Sequence, residues 1–262
     1  MYVIKYGGNA LPDTSGGEID SVLEAIADEY LEGEQIVLVH GGGPFIEKAL
    51  QEKSLKSAKI QGLRVTDAKS FEVIQSVLSG TVLRSIVNYL IGSDVNAVGL
   101  SASDGNLIRA RKYEPIVDGK RVDLGFVGEV ESCNPAILES LITEGFLPVV
   151  SPISCDDAGV GYNVNADLVA AAIAGAMKAE CMLFLTDVDG IYRDFNDQSS
   201  LLAKTNLREL STLKLSDGMI PKVAAISAAL KSGAQSVRVC NGTKVDAVLD
   251  AFAGEGGTLV SA

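Results

Sequence analysis

The sequence predicts an α/β fold, a three-layer αβα sandwich around a central, mainly parallel sheet. Three observations carry this. Apolar runs of strand length alternate with stretches of helical periodicity along almost the whole chain. The runs are nearly continuous in apolar residues, as strands covered on both faces must be. With 47% hydrophobic and 21% charged residues, the 262-residue chain can bury a sizeable core.

The elements follow in order. "YVIKY" (2–6) is a strand that stops at Gly7-Gly8. Ile19, Val22, Leu23, Ile26, Tyr30 and Leu31 recur at helical spacing, and "QIVLV" (35–39) is the next strand. Pro44 suits the first turn of a helix. Residues 67–91 form one long helical stretch with a break predicted at Gly80. "NAVGLS" (96–101) is a strand, and Asp118-Gly119 marks a hairpin inside 107–130 that is expected to add antiparallel strands at an edge of the sheet. A helix near 134–144 closes at Gly145, followed by the strand "LPVVSPI" (147–153). The Asp-, Gly- and Asn-rich segment 152–165 suits a hinge between two lobes. Asp167 starts a helix, "CMLFLT" (181–186) is a strand, and Pro221–Ser232 is a helix ended by Gly233. "SVRVC" (236–240), a helix over 245–253 and "GTLVS" (257–261) complete the alternation.

Lys+Arg of 22 against Asp+Glu of 34 gives a net charge of −12, the wrong sign for a nucleic-acid binder. An anionic substrate must then be attracted locally, by lysines and backbone N–H groups. Cys133, Cys155, Cys181 and Cys240 make no CxxC pair and read as buried free thiols of a reducing compartment. No signal peptide or membrane-length apolar run is evident, so a cytoplasmic protein is expected.

In a parallel sheet, ligands bind beyond the C-terminal strand ends. Those positions hold Gly7-Gly8-Asn9, Gly41-Gly42-Gly43 and Asp187-Val188-Asp189-Gly190. The two glycine clusters precede helices, so their N–H groups suit a phosphate. The GxxxxGK[ST] pattern, a GxGxxG after the first strand and protein-kinase signatures are absent. His40 is the only histidine, which excludes a zinc-binding histidine cluster. At a strand end it reads as a structural or gating residue rather than a base. Lys5, within an apolar strand, is costly unless it is paired or faces a site, though a strand-edge lysine can also reach solvent. Lys222 opens a helix, where a solvated first-turn lysine would be unremarkable. Asp167 could be a plain N-cap.

Eight segments add a resemblance: "IKYGGNAL" (4–11), "VHGGGPFI" (39–46), "GLRVTD" (62–67), "DLGFVGEV" (123–130), "YNVNADLVA" (162–170), "LTDVDGIY" (185–192), "DGMIPK" (217–222) and "GTLV" (257–260). Their order and spacing resemble the amino acid kinase family over nearly the whole chain, most of all members whose acceptor is N-acetyl-L-glutamate. The resemblance implies ATP-dependent phosphorylation of that acceptor's side-chain carboxylate, in arginine biosynthesis. It implies an acceptor-binding and dimerisation lobe over 1–155 and an ATP-binding lobe over 156–262, on one continuous sheet. Lys5 and Lys222 would stabilise the transferring phosphoryl group, with Asp167 orienting both. Gly8, Gly42 and Gly43 would donate N–H bonds to that group and to the acceptor. Arg64 would clamp a carboxylate, and Asn163 would hold the α-substituents. Asp187, Val188, Asp189, Gly190, Ile191, Tyr192, Lys214, Leu215 and Ser216 would wrap ATP, and Mg²⁺ would be held mainly by the ATP phosphates.

The chemistry agrees with those roles. In-line phosphoryl transfer needs charge neutralisation and positioning more than covalent help. A carboxylate acceptor needs no strong base, and only an arginine offers a bidentate clamp. A kinase for a carrier-protein-linked glutamate or aminoadipate, or a non-catalytic sensor on the same fold, are the alternatives. Keeping Lys5, Asp167 and Lys222 together argues against the sensor. Arginine-inhibited members carry a helix before the first strand, whereas here the strand begins at Tyr2. The resemblance then implies a homodimer without strong arginine inhibition.

Overall fold

Alternate residues of the central strands go to opposite sides. In β1 (Tyr2–Tyr6), Ile4 and Tyr6 enter one core, while Val3 enters another. In β2 (Ile36–His40), Ile36 and Leu38 face the first core and Val37 and Val39 the second. Strand side chains repeat every two residues, so strands apolar at every position must be covered on both faces. This is the predicted three-layer sandwich.

The computed structural model describes residues 1–7, 20–56, 58–60, 62–194, 196–213 and 219–262. Between β1 and β2 lies α1 (Ser21–Leu31). After β2 come α2 (Gly43–Glu52), a hairpin of β3 (Lys59–Ile60) and β4 (Leu63–Arg64), α3 (Ala68–Gln75), a π-helical segment (Ser76–Val82) and α4 (Leu83–Gly92). Next are β5 (Ala97–Ser101), β6 (Ile108–Lys112), the hairpin β7 (Ile116–Val117) and β8 (Lys120–Arg121), β9 (Val127–Cys133), α5 (Ala136–Thr143), β10 (Leu147–Ser151), β11 (Ile153–Cys155) and β12 (Gly161–Val164). The chain continues with α6 (Ala166–Ala176), β13 (Cys181–Thr186), β14 (Lys204–Asn206), α7 (Leu207–Leu210), α8 (Ile220–Ser232), β15 (Val237–Asn241), α9 (Val245–Phe252) and β16 (Thr258–Ser261).

Among the described residues the main sheet has eight strands in the order β14-β16-β15-β13-β1-β2-β10-β5, parallel except for β15 against β16. Helices α1, α2, α3, α4 and α9 cover one face; α5, α6 and α8 cover the other. The residues of β1, β2, β10 and β13 pair directly, so the C-terminal ends of these central strands share one edge.

Three expectations change. The 67–91 helix does not break at Gly80. It continues through a π-helical widening, as π turns allow without loss of the helical path. The strands flanking Asp118-Gly119 do not extend the main sheet. The hairpin turn itself forms, with positive φ at both residues (49° and 77°). But β6 and β9 close a separate small sheet with β11 and β12. The main-sheet strand β10 ends at Ser151, and Pro152 follows it. There the chain leaves β10, and β11 and β12 bring edges of their own for β6 and β9 to pair with. The four cysteines are free; only Cys240 is fully buried, the other three being half-buried. No helix among the described residues is long and apolar enough to cross a membrane.

Candidate active site

The C-terminal ends of β1, β2 and β13 open into a cleft of about 420 Å³. It is lined by Lys5 and Gly7 from β1 and its turn, Gly41 to Gly43 after β2, and Thr186 and Asp187 at the end of β13. Asn163 to Asp167 enter from the β12–α6 junction, and Lys222 from the start of α8. Nine residues singled out from the sequence thus meet: Lys5, Gly7, Gly41, Gly42, Gly43, Asn163, Asp167, Asp187 and Lys222.

Lys5 is 6% exposed. A lone ammonium there would be expensive. Its Nζ lies 3.1 Å from Asp167 Oδ1 and 5.4 Å from the centre of the Phe184 ring. Lys5 shares the sheet face of Val3 and Val37, the face that α6 and α8 cover. Those two helices run in parallel and touch closely: a Cβ on Gly175 would meet Ser232 Cβ at 2.3 Å. Both N-termini therefore reach the cleft, one carrying Asp167 and the other Lys222. Asp167 is not the cap of α6. Asn165 caps it, accepting from Asp167 N at 2.7 Å, and the Asp167 carboxylate pairs with Lys5.

The glycine loop is tightly seated. Gly41 N donates to Tyr6 O at 2.8 Å, and a Cβ on Gly7 would fall 2.7 Å from Gly41 N. Gly42 precedes α2 as its N-cap residue, with Pro44 in the first turn as expected. His40 does not line the cleft. It is fully buried, and its Nδ1 donates to Gly41 O at 2.7 Å. Nε2 has no partner among the described residues, and burial pushes the imidazole down to about 4. His40 is neutral at ordinary pH and supports the loop backbone.

Other predicted residues lie apart. Arg64 is buried and pairs with Glu47 of α2, Nη1 to Oε2 at 2.8 Å, rather than lining the cleft. Its hairpin nevertheless reaches the cleft through Lys59 and Gly62. Asp189 accepts from Lys244 Nζ and Asn241 Nδ2, both at 2.8 Å, and these bonds hold its carboxyl below the usual range. It faces a second cavity, of about 630 Å³, at the start of α9. Val188 and Tyr192 are half-buried, and Tyr192 bridges Leu201. Gly190 and Ile191 pack against Thr258, whose hydroxyl accepts from Ile191 N at 2.8 Å; the Ile191 side chain is core. Gly8, Lys214, Leu215 and Ser216 lie outside the described residues.

Sequence reasoning missed Lys59, Ile46, Leu78, Pro152 and Thr186 as cleft residues. Thr186 was findable, since it ends a strand. Leu78 was not, because its helical spacing marks it only as core. Among the described residues, no group of three His, Cys, Asp or Glu side chains could hold a metal ion.

Comparisons with known proteins show what the chain is similar to. A model of the amino acid kinase family matches residues 1–241. The acetylglutamate kinase of Archaeoglobus fulgidus is 42% identical over 268 residues, covering 98% of this chain and 92% of that protein. The acetylglutamate kinase of Methanocaldococcus jannaschii is 40% identical over 272 residues, covering 100% and 90%. Among solved structures, N-acetylglutamate synthase of Neisseria gonorrhoeae, complexed with coenzyme A and N-acetyl-glutamate, superposes with a TM-score of 0.85 at 25% identity; the match covers all of this chain and 59% of that one. With its glycine loops, its buried lysine–aspartate pair and this sequence similarity over nearly its full length, the chain belongs to the amino acid kinase family.

Proposed function

We propose that the protein transfers the γ-phosphoryl group of ATP to the side-chain carboxylate of N-acetyl-L-glutamate, giving N-acetyl-L-glutamyl 5-phosphate and ADP, a step of arginine biosynthesis. One observation carries the reading: the buried Lys5–Asp167 pair opens onto the same cleft as Lys222 and the Gly41–Gly43 loop. The names of relatives about 40% identical over almost the whole chain support this acceptor.

The charges suit the reaction. Two carboxylate or phosphate oxygens and the phosphoryl group in flight crowd negative charge together, and catalysis consists of neutralising and aligning it. In this reading Lys5 and Lys222 stabilise the phosphoryl group, and Asp167 fixes Lys5 at the end of β1. Gly42 and Gly43 present backbone N–H groups without side chains to obstruct two reactants, and Gly8 is proposed to do the same from β1. Asn163 holds the acceptor's α-substituents. Arg64, now on Glu47, takes an acceptor carboxylate. Asp187 to Tyr192 and Lys214 to Ser216 surround the nucleotide. Mg²⁺, carried mainly by the ATP phosphates, would add further neutralisation, and the cleft carboxylate of Asp187 has the chemistry to meet its hydration shell. Residues 1–155, joined by Asn163, would bind the acceptor, and the rest of 156–262 the nucleotide. We also propose a homodimer joined along 67–91, and residence in the cytoplasm.

The test is trapping of the acyl phosphate as hydroxamate, with ATP and Mg²⁺ and with N-acetyl-L-glutamate, glutamate, aspartate and N-acetylaminoadipate compared. N-Acetyl-L-glutamate should be turned over best. Its failure to react would sink the assignment.

A further inference from the structure

Leu78 lies in the π-helical segment and lines the cleft while only 2% exposed. A side chain so placed forms a floor, not a rim. It lies directly under the glycine loop: a Cβ on Gly42 would be 2.7 Å from Leu78 Cδ2. The height of that floor is set by the sheet. Ser79 Oγ is 2.8 Å from Ser151 Oγ, and Ser101 Oγ donates to Ser79 Oγ at 2.9 Å. Ser151 and Ser101 are opposite residues at the C-terminal ends of β10 and β5. The π turn is therefore fastened by side-chain hydroxyls to two strands, and the adjacent Leu78 cannot sink away from Gly42 without breaking those bonds. With Ile46 of α2 and Pro152, Leu78 forms the apolar surface on the side of the cleft contributed by the first half of the chain.

We propose that Leu78, held in place by Ser79, determines the length of acceptor side chain that the cleft accepts. This rests on the functional reading above. The reacting carboxylate must stop at the Gly42–Gly43 N–H groups beside Lys5. A chain longer by one methylene overshoots that point unless the floor recedes. Leu78→Ala removes three carbon atoms from the floor and deepens the cleft there. A single methylene in an apolar pocket is discriminated by about 10- to 200-fold, which is the scale of preference such a floor can impose. Ser79 is a positioning residue; Leu78 sets specificity.

The experiment compares kcat/KM for N-acetyl-L-aspartate, N-acetyl-L-glutamate and N-acetyl-L-2-aminoadipate in the wild type, Leu78→Ala, Leu78→Val and Ser79→Ala. For Leu78→Ala the aminoadipate-to-glutamate ratio should rise about 10-fold or more, with no gain for aspartate and an unchanged KM for ATP. Leu78→Val and Ser79→Ala should shift the ratio the same way by less. A loss of activity shared equally by all acceptors is what a merely structural role would give, and it overturns the proposal. An unmoved ratio in Leu78→Ala does the same, as does an unmoved ratio in both milder variants should Leu78→Ala not fold. Absence of N-acetyl-L-glutamate turnover by the wild type is a separate outcome, which removes the functional reading and the proposal with it.

Discussion

At the scale of single residues, the decisive fact is where charge is tolerated. Lys5 is buried because Asp167 meets it at 3.1 Å, and Asp167 can do so because Asn165 has taken over the helix cap. The lysine within an apolar strand was legible in the sequence. Its partner was legible only through the family resemblance, because by spacing alone a cap and an ion-pair residue look alike at the start of a helix. Lys222, at the same cleft, is assigned to the transition state. Lys222→Ala should lower kcat by about 10²-fold with little change in acceptor KM, read from initial rates; an unchanged kcat would remove it from that role. His40 makes a different prediction. Burial pushes its imidazole from 6.5 to about 4, so the fold favours the neutral form. The unfolded chain takes up a proton below its own value. This contribution is therefore intact above pH 6.5 and is lost as pH falls towards 4. Between pH 7 and pH 5 it amounts to about 2 kcal/mol. The chain has no other histidine. Urea unfolding at the two pH values should show the wild type losing about 2 kcal/mol more than His40→Gln. Equal losses in both would show that His40 does not titrate this way.

At the scale of elements, the positions of strands and helices followed from periodicity, and their partners did not. "GLRVTD" and "DLGFVGEV" are far apart in sequence, yet Thr66 bridges Gly125, with Thr66 N on Leu124 O at 2.8 Å and Phe126 N on Thr66 O at 2.7 Å. Gly125 has φ 77°, and a Cβ there would fall 2.1 Å from Thr66 O, so the close approach requires glycine. The β3–β4 hairpin that carries Lys59 to the cleft is thus moored to the small sheet that carries Asn163. The π turn is the other element that periodicity could not show. An apolar stripe drawn at helical spacing passes through Ser76–Val82 whether the turn has an α or a π pitch. Only the hydroxyl contacts of Ser79 with Ser151 and Ser101 reveal what holds it.

At the scale of the whole molecule, the two halves of the chain contribute opposite sides of one sheet: β1, β2, β10 and β5 from residues 2–151, and β13, β15, β16 and β14 from residues 181–261. The cleft lies where they meet, at β1 against β13. The proposed homodimer belongs to this scale. Ile91, at the end of α4, is 55% exposed and suits an interface on the long helix. Sedimentation should give about twice the 27.4 kDa chain mass, and Ile91→Glu should return it to the monomer; a monomeric wild type would refute the dimer. The sequence by itself determined the layered α/β architecture, the glycine loops at the strand ends and the family, because periodicity, turn chemistry and ordered motifs are local properties of the chain. The tertiary structure alone decided that Arg64 rests on Glu47, that Asp189 turns to Lys244, and that Leu78 lies beneath Gly42. Those are contacts between residues distant in sequence, and which of several possible partners a buried side chain meets is settled by packing, where only one arrangement both fills the space and satisfies the charges.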